Sequence, residues 1–321
     1  MIFEKLIINF YKKTLLTRYD PNGKIFYFSK EDFPGLLFEE CNFIGDKGQK
    51  LAGGFYYRGE RRTDRLVVFD HGMGCGHRSY ITEVNLLTER GYTVFTYDHT
   101  GTSNSGGDSI GGFSQSLSDL DRAITMLENH PEYKDADISV VGHSWGAFST
   151  MNIAALHPKI SHVVPISGFI SPREIQAQFF SGFLKYYRKA AFRLEEENFP
   201  DYCEFDGRKS LANSNVKALI IHSRDDAVVS FEKHFDALRK ALTGHENIEF
   251  LVLDGKGHNP NYAKEAVALL QTFNTDLRQK NKKKLLSTDE AKAQFVASYD
   301  WHKITEQDTE VWDKIDDFLK S

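Results

Sequence analysis

Ile138-Ser139-Val140-Val141-Gly142-His143-Ser144-Trp145-Gly146 runs from an apolar, β-branched stretch into a serine framed by two glycines, and residues 147–156 beyond it suit a helix. A serine at so tight a strand-to-helix turn adopts strained backbone geometry. Glycines two positions to either side let neighbouring elements come close enough to permit it. The hydroxyl then projects at the carboxyl end of a sheet, and the helix that begins there aims its first N–H groups at developing negative charge. The pentad alone is a weak signal. Its strand-turn-helix setting makes Ser144 a candidate nucleophile rather than a serine on an ordinary turn.

Other short apolar runs recur on both sides of this stretch, at residues 66–69, 92–97, 162–166, 218–221 and 248–253. Each is followed by a turn bearing Gly, Ser or Asp, and usually by a helix-period segment, most plainly at 83–90, 116–129 and 231–242. Continuous apolar strands alternating with helices predict an α/β architecture, a mostly parallel central sheet covered on both faces. Residues 37–43 and 51–57 flank the turn Gly45-Asp46-Lys47-Gly48 and predict an antiparallel hairpin before it. Residues 171–212, rich in aromatic and charged side chains, predict a small helical cap inserted over the sheet edge. The expected division is an N-terminal helical extension at 1–36, a core at 37–170 and 213–321, and a cap at 171–212. The segment 277–308 has no assigned role, and its basic run at 280–284 predicts a solvated helix face or loop.

The 321 residues carry 40 basic and 45 acidic side chains, a formal charge of −5. This mixed, slightly acidic balance argues against nucleic acid as a partner. Hydrophobic residues at 40% supply a large core. Three scattered cysteines, Cys41, Cys75 and Cys203, support neither a disulfide framework nor a zinc site and suit a reducing, cytoplasmic setting. No apolar run is long enough to span a membrane. Residues 1–16 mix Phe3, Leu6, Ile7, Ile8, Phe10 and Tyr11 with Glu4, Lys5, Lys12 and Lys13, too broken a pattern for a signal peptide. They predict an amphipathic helix that packs on the protein's own body, with peripheral contact to a membrane surface as the alternative. Oligomeric state is not legible.

A serine hydroxyl needs a base, and the base needs an orienting carboxylate. His258 lies in Asp254-Gly255-Lys256-Gly257-His258-Asn259 after the run 248–253, and Asp225-Asp226 follow the run 218–221. Parallel strands place all these carboxyl ends along one edge, so Ser144, Asp226 and His258 can meet there. Asp226 is preferred to Asp225, because Ala227-Val228-Val229 can anchor its turn whereas Asp225 can pair with Arg224 or face solvent. Backbone N–H groups suit the oxyanion, one being worth about 3 kcal/mol. The candidates are Trp145, directly after the serine, and Met73 in the glycine-rich loop His71-Gly72-Met73-Gly74-Cys75-Gly76, with Gly74 next. That loop lacks the glycine frame of a dinucleotide site, and Cys75 reads as a small loop residue rather than a nucleophile.

With the His71-Gly72 loop, Tyr97-Asp98-His99-Thr100-Gly101-Thr102-Ser103, the pentad, Asp226 and His258 in this order, the chain resembles the α/β-hydrolase superfamily, in the branch of monoacylglycerol lipases, lysophospholipase-like esterases and serine aminopeptidases. The resemblance runs from about residue 38 to the final helix near 308–320. It departs at His99-Thr100-Gly101-Thr102-Ser103, where relatives often carry an arginine and a second glycine, and this segment reads as a structural loop near the site. The resemblance implies a serine hydrolase that needs no cofactor or metal. A small-molecule acyl ester is the preferred substrate, and the aromatic cap residues Phe179, Phe183 and Tyr187 are candidates to bind it. An aminopeptidase or amidase would need an acidic anchor for a free amine, for which Glu195-Glu196-Glu197 are the candidates unless they form a solvated helix face. An inactive, hydrolase-like binding protein is the third reading.

Overall fold

A computed structural model describes residues 2–19 and 28–321. Among the described residues ten strands form: β1 (Leu36–Glu40), β2 (Phe43–Ile44), β3 (Lys50–Leu51), β4 (Gly53–Arg58), β5 (Arg65–Asp70), β6 (Thr93–Tyr97), β7 (Asp137–His143), β8 (His162–Ile166), β9 (Lys217–Ser223) and β10 (Ile248–Leu253). Eight of them make one sheet in the order β1-β4-β6-β5-β7-β8-β9-β10. The pairs β1/β4 and β4/β6 are antiparallel and every later pair is parallel. The fold is α/β, as the alternation of apolar runs and helices predicts.

Strand side chains alternate between two apolar layers. Leu66, Val68, Val140, Val163, Ala218 and Ile220 join one core with the helices Gln115–Asn129 and Trp145–Asn152. Val67, Phe69, Val141, Val164, Leu219 and Ile221 join the other, with Ile81–Glu89 and Thr309–Leu319. Each such fully buried side chain contributes about 1.5–3 kcal/mol, and a one-residue slip would exchange the two sets. Register is therefore fixed, with Asp70 opposite Gly142 and His143 opposite Ile166, so the parallel strands end in line.

The predicted hairpin is split. β1 and β4 pair, but the turn at 45–48 closes a separate two-stranded ribbon of β2 and β3. The ribbon ends where β4 begins to pair with β6 across Gly53 and Gly54, at which a Cβ would lie 2.5 Å from the Tyr97 Cβ and 2.3 Å from the Glu39 carbonyl oxygen. The stretch 171–212 is helical, with Pro172–Phe179, Gly182–Tyr187, Arg188–Asn198 and Gly207–Ala212. The last of these packs against Trp145–Asn152, where Ser210 Oγ donates to Asn152 Oδ1 at 2.6 Å. Segment 277–308 is also helical, as the end of Lys264–Lys282 followed by Asp289–Ala297 and Trp301–Ile304. Phe273, Phe295, Tyr299 and Trp301 gather there in edge and stacked contacts. Residues 282–284 of the basic run are solvent-exposed. No helix among the described residues is long and apolar enough to cross a membrane.

Candidate active site

Ser144 stands between β7 and the helix Trp145–Asn152 with φ of 57°, a left-handed value that costs a non-glycine residue on the order of 1–3 kcal/mol. Its two flanking glycines are steric requirements. A Cβ on Gly142 would lie 2.2 Å from Thr150 Oγ1, and one on Gly146 2.1 Å from the Asp70 carbonyl oxygen. The Ser144 N–H donates to Ile166 O at 2.8 Å, which anchors the turn to β8.

The three side chains expected to meet do so. Ser144 Oγ lies 2.9 Å from His258 Nε2, and His258 Nδ1 lies 2.8 Å from Asp226 Oδ2. Asp226 is buried and has four donors. Its Oδ1 accepts the Val228 and Val229 N–H groups, while Oδ2 also faces His222 Nε2 at 3.1 Å. Burial alone would raise its pKa, but the hydrogen bonds from His222 and His258 hold it well below the usual carboxylate range. The carboxylate is thus ionised, which fixes a proton on His258 Nδ1 and leaves Nε2 free to accept from the serine.

Asp225 is exposed to solvent, one of its two expectations, but it does not pair with Arg224. Arg224 pairs with Asp254 at 2.7 Å, and Asp225 accepts from Ser223 Oγ and from the Gly255 and Gly257 N–H groups, bracing the loop that carries His258. Lys256 holds the same loop from behind, with its Nζ 2.7 Å from Tyr262 O and 2.5 Å from Asp308 Oδ2.

The glycine-rich loop at 71–76 lies against the pentad. The Gly72 N–H donates to Tyr80 Oη at 3.2 Å, Tyr80 Oη donates to His143 Nδ1 at 2.8 Å, and His143 Nε2–H donates to the His258 carbonyl at 2.8 Å. This chain links the loop holding Met73 to the backbone of the candidate base. His143 is kept neutral by burial, which lowers its pKa to about 3. Trp145 heads its helix and is fixed by its indole N–H, which donates to Phe113 O at 2.7 Å. Cys75 is a half-buried loop residue whose thiol donates to Gly72 O at 3.0 Å.

Beneath these loops lies a charged cluster without solvent access. His99 Nε2 is 3.0 Å from Asp70 Oδ1 and its Nδ1 3.3 Å from Asp119 Oδ2. Burial would lower the imidazole pKa, but the two carboxylates hold it up to about 9, so His99 is a buried cation in this loop. His71 accepts the His99 N–H at Nε2, at 3.0 Å.

In the cap, Phe179 is 39% exposed and stacks on Phe113, while Phe183 is 69% exposed and Tyr187 half-buried against the core. Gln178 bonds Val228 O and the Ser230 N–H, joining the end of its helix to the Asp226 loop. Glu195 is fully buried and accepts from the Phe113 N–H, the Ser114 N–H and Ser114 Oγ. It is neither solvated nor open to an incoming amine; only Glu196 and Glu197 are exposed.

His222, His143, Tyr80, Lys256 and the burial of Glu195 escaped sequence reasoning. His222 and His143 lie at strand ends already placed at the site, so their positions carried the signal. Tyr80, Lys256 and Glu195 carried none.

A family model described as Serine aminopeptidase, S33 matches residues 61–201. An uncharacterized protein of Acanthamoeba polyphaga mimivirus is 23% identical over 66% of this chain and 74% of its own length. The uncharacterized protein YqkD of Bacillus subtilis (strain 168) is 24% identical over 49% of this chain and 50% of its own. Among solved structures, an esterase of Pyrococcus furiosus superposes with a TM-score of 0.58 at 20% identity, covering 80% of this chain and 95% of that one. The chain therefore has the α/β-hydrolase fold and, by its family match, resembles the serine aminopeptidase-like branch of that superfamily.

Proposed function

We propose that the protein is a serine hydrolase that cleaves carboxylic esters through an acyl-enzyme on Ser144. The observation that carries this is the unbroken line from Ser144 Oγ to His258 Nε2 and from His258 Nδ1 to Asp226, at 2.9 and 2.8 Å. Ser144 Oγ attacks the acyl carbon while its proton passes to His258 Nε2, and the imidazolium is stabilised by ionised Asp226. The Trp145 and Met73 N–H groups receive the oxyanion. His258 then protonates the departing alcohol. Water, deprotonated by the same imidazole, releases the acid and restores the serine. Phe179, partly exposed and stacked on Phe113, whose carbonyl accepts the Trp145 indole N–H, supports an apolar acyl substrate. Turnover of p-nitrophenyl esters of graded chain length tests this. Ser144→Ala should lose at least about 10³-fold in kcat, and equal rates in the two proteins would end the proposal.

Amide cleavage by the same three residues is the second reading, favoured by the description of the matching family model. Against it stands the burial of Glu195 among the Phe113 and Ser114 donors, which removes one of the three candidate acidic anchors. Matched aminoacyl amides and esters separate the two, since amide turnover that exceeds ester turnover would reverse the preference.

A further inference from the structure

We infer that the N-terminal helix and the adjoining cap form a docking face for a lipid bilayer bearing anionic headgroups. The inference is independent of which bond the active site cleaves. The helix Ile2–Leu15 has two apolar sides. Tyr11 is buried, and Ile7, Ile8 and Leu15 pack partly against the core; the Tyr11 ring meets Phe180 edge-on at 5.2 Å. Phe3, Leu6 and Phe10 face solvent at 67, 60 and 72% exposure. At 3.6 residues per turn these three fall within an arc of about 60° that adjoins the packed side at Ile7. On the wheel Lys13 falls next to the exposed apolar stripe, while Lys5 and Lys12 lie on the flank opposite it, and Glu4, the helix's one carboxylate, is exposed in the first turn.

The helix packs against Gly182–Tyr187 and Arg188–Asn198, and there Phe183 and Tyr186 are exposed at 69 and 77%. Beside them opens a cleft of about 410 Å³ whose lining includes Arg173, Lys185, Arg188 and Lys189 with the single carboxylate Glu174. Arg188 spends its guanidinium on the Phe180 and Ala177 carbonyls, and Arg173 pairs with Glu204. Among the described residues no carboxylate pairs with Lys5, Lys12, Lys13, Lys185 or Lys189.

Residues 2–15 and 172–193 together carry eight cations and two carboxylates, in a chain whose net charge is −5. Glu196 and Glu197 reverse the sign only at the far end of Arg188–Asn198. Exposed aromatic and leucine side chains flanked by unpaired lysines are the chemistry of an interfacial surface. The apolar groups enter the acyl boundary while the lysines meet phosphate. A protein partner of opposite charge, or a second copy of this chain, is an outcome of the test.

The full chain is floated with vesicles of phosphatidylcholine alone and of phosphatidylcholine with 30% phosphatidylglycerol, in about 0.1 M and about 0.5 M salt. Two variants are compared, Phe3→Ser/Leu6→Ser/Phe10→Ser and Lys185→Glu/Lys189→Glu, with circular dichroism to verify folding. Partition onto the anionic vesicles should exceed that onto neutral ones by about tenfold or more, fall with salt, and drop about tenfold in each folded variant. The second variant carries the test if the first does not fold. Equal partition onto both vesicles, or full binding by the folded variants, overturns the inference. Concentration-dependent self-association that the serine variant abolishes, without vesicle binding, assigns the face to a second copy instead.

Discussion

Asp226→Asn separates a catalytic carboxylate from a merely structural one. Oδ1 of Asp226 faces two backbone donors, the Val228 and Val229 N–H groups at 2.8 and 3.0 Å. An asparagine keeps those bonds only with its carbonyl oxygen on that side, so its NH2 group is turned toward His258 Nδ1 and His222 Nε2. His258 must then present a lone pair at Nδ1 and carry its proton on Nε2, the atom 2.9 Å from Ser144 Oγ. The base arrives already protonated. Fixing the wrong tautomer in this way lowers kcat by about 10⁴-fold, or about 5 kcal/mol of transition-state stabilisation. The ground-state pocket is untouched, so KM should move by less than about threefold. The assay is steady-state hydrolysis of a soluble p-nitrophenyl ester together with the rate of fluorophosphonate labelling, after circular dichroism has established the fold. A variant within tenfold of wild type would mean that the Asp226 charge does not govern the His258 tautomer, and the assignment of this acid would fall.

Glu195→Ala strands the buried Phe113 and Ser114 N–H groups, at about 1–3 kcal/mol each, and should lower the urea midpoint by the equivalent of about 2–6 kcal/mol; an unchanged midpoint would show that these bonds do not hold Glu195 to the start of the helix Gln115–Asn129. Glu83 is fully buried, and burial raises its carboxyl from 4.5 to about 7. Between those values the folded state binds the extra proton, so stability falls as pH rises through this window. Glu83→Gln, which cannot ionise, should therefore raise Tm at pH 8 by the equivalent of about 2 kcal/mol and give little at pH 5. An equal change at both pH values would refute the sign.

The sheet was legible because its inner strands β5 to β9 are buried on both faces, which writes them as unbroken apolar runs. Strands β8 and β10 coincide with the predicted residues 162–166 and 248–253. The meeting of Ser144, Asp226 and His258 was legible for the same reason, since parallel strands bring their carboxyl ends to one edge whatever the loop lengths. What the chain hid is pairing across elements. Glu195 looks like its neighbours Glu196 and Glu197, and only the N–H groups of Phe113 and Ser114, some eighty residues earlier, draw it inward. The antiparallel pairing of the hairpin was legible from its alternation and turn, whereas the further pairing of β4 with β6 was not, because alternation specifies a strand but not its second neighbour. The segment 277–308 offered no period strong enough to read, although Phe295, Tyr299 and Trp301 mark the face that meets Phe273.

The cap is nailed down at two points, by Glu195 to the start of the helix Gln115–Asn129 and by Gln178 to the strand-end loop of Asp226. A roof fastened at both eaves does not swing like a hinged door. On the proposed function, admission to the serine would fall to rotation of individual side chains, and the entrance would keep one width whether the molecule floats free or rests on an oil boundary. Contact with lipid would enrich substrate near the entrance without speeding each turnover, so rate should saturate smoothly with ester concentration and show no jump where the ester begins to form droplets.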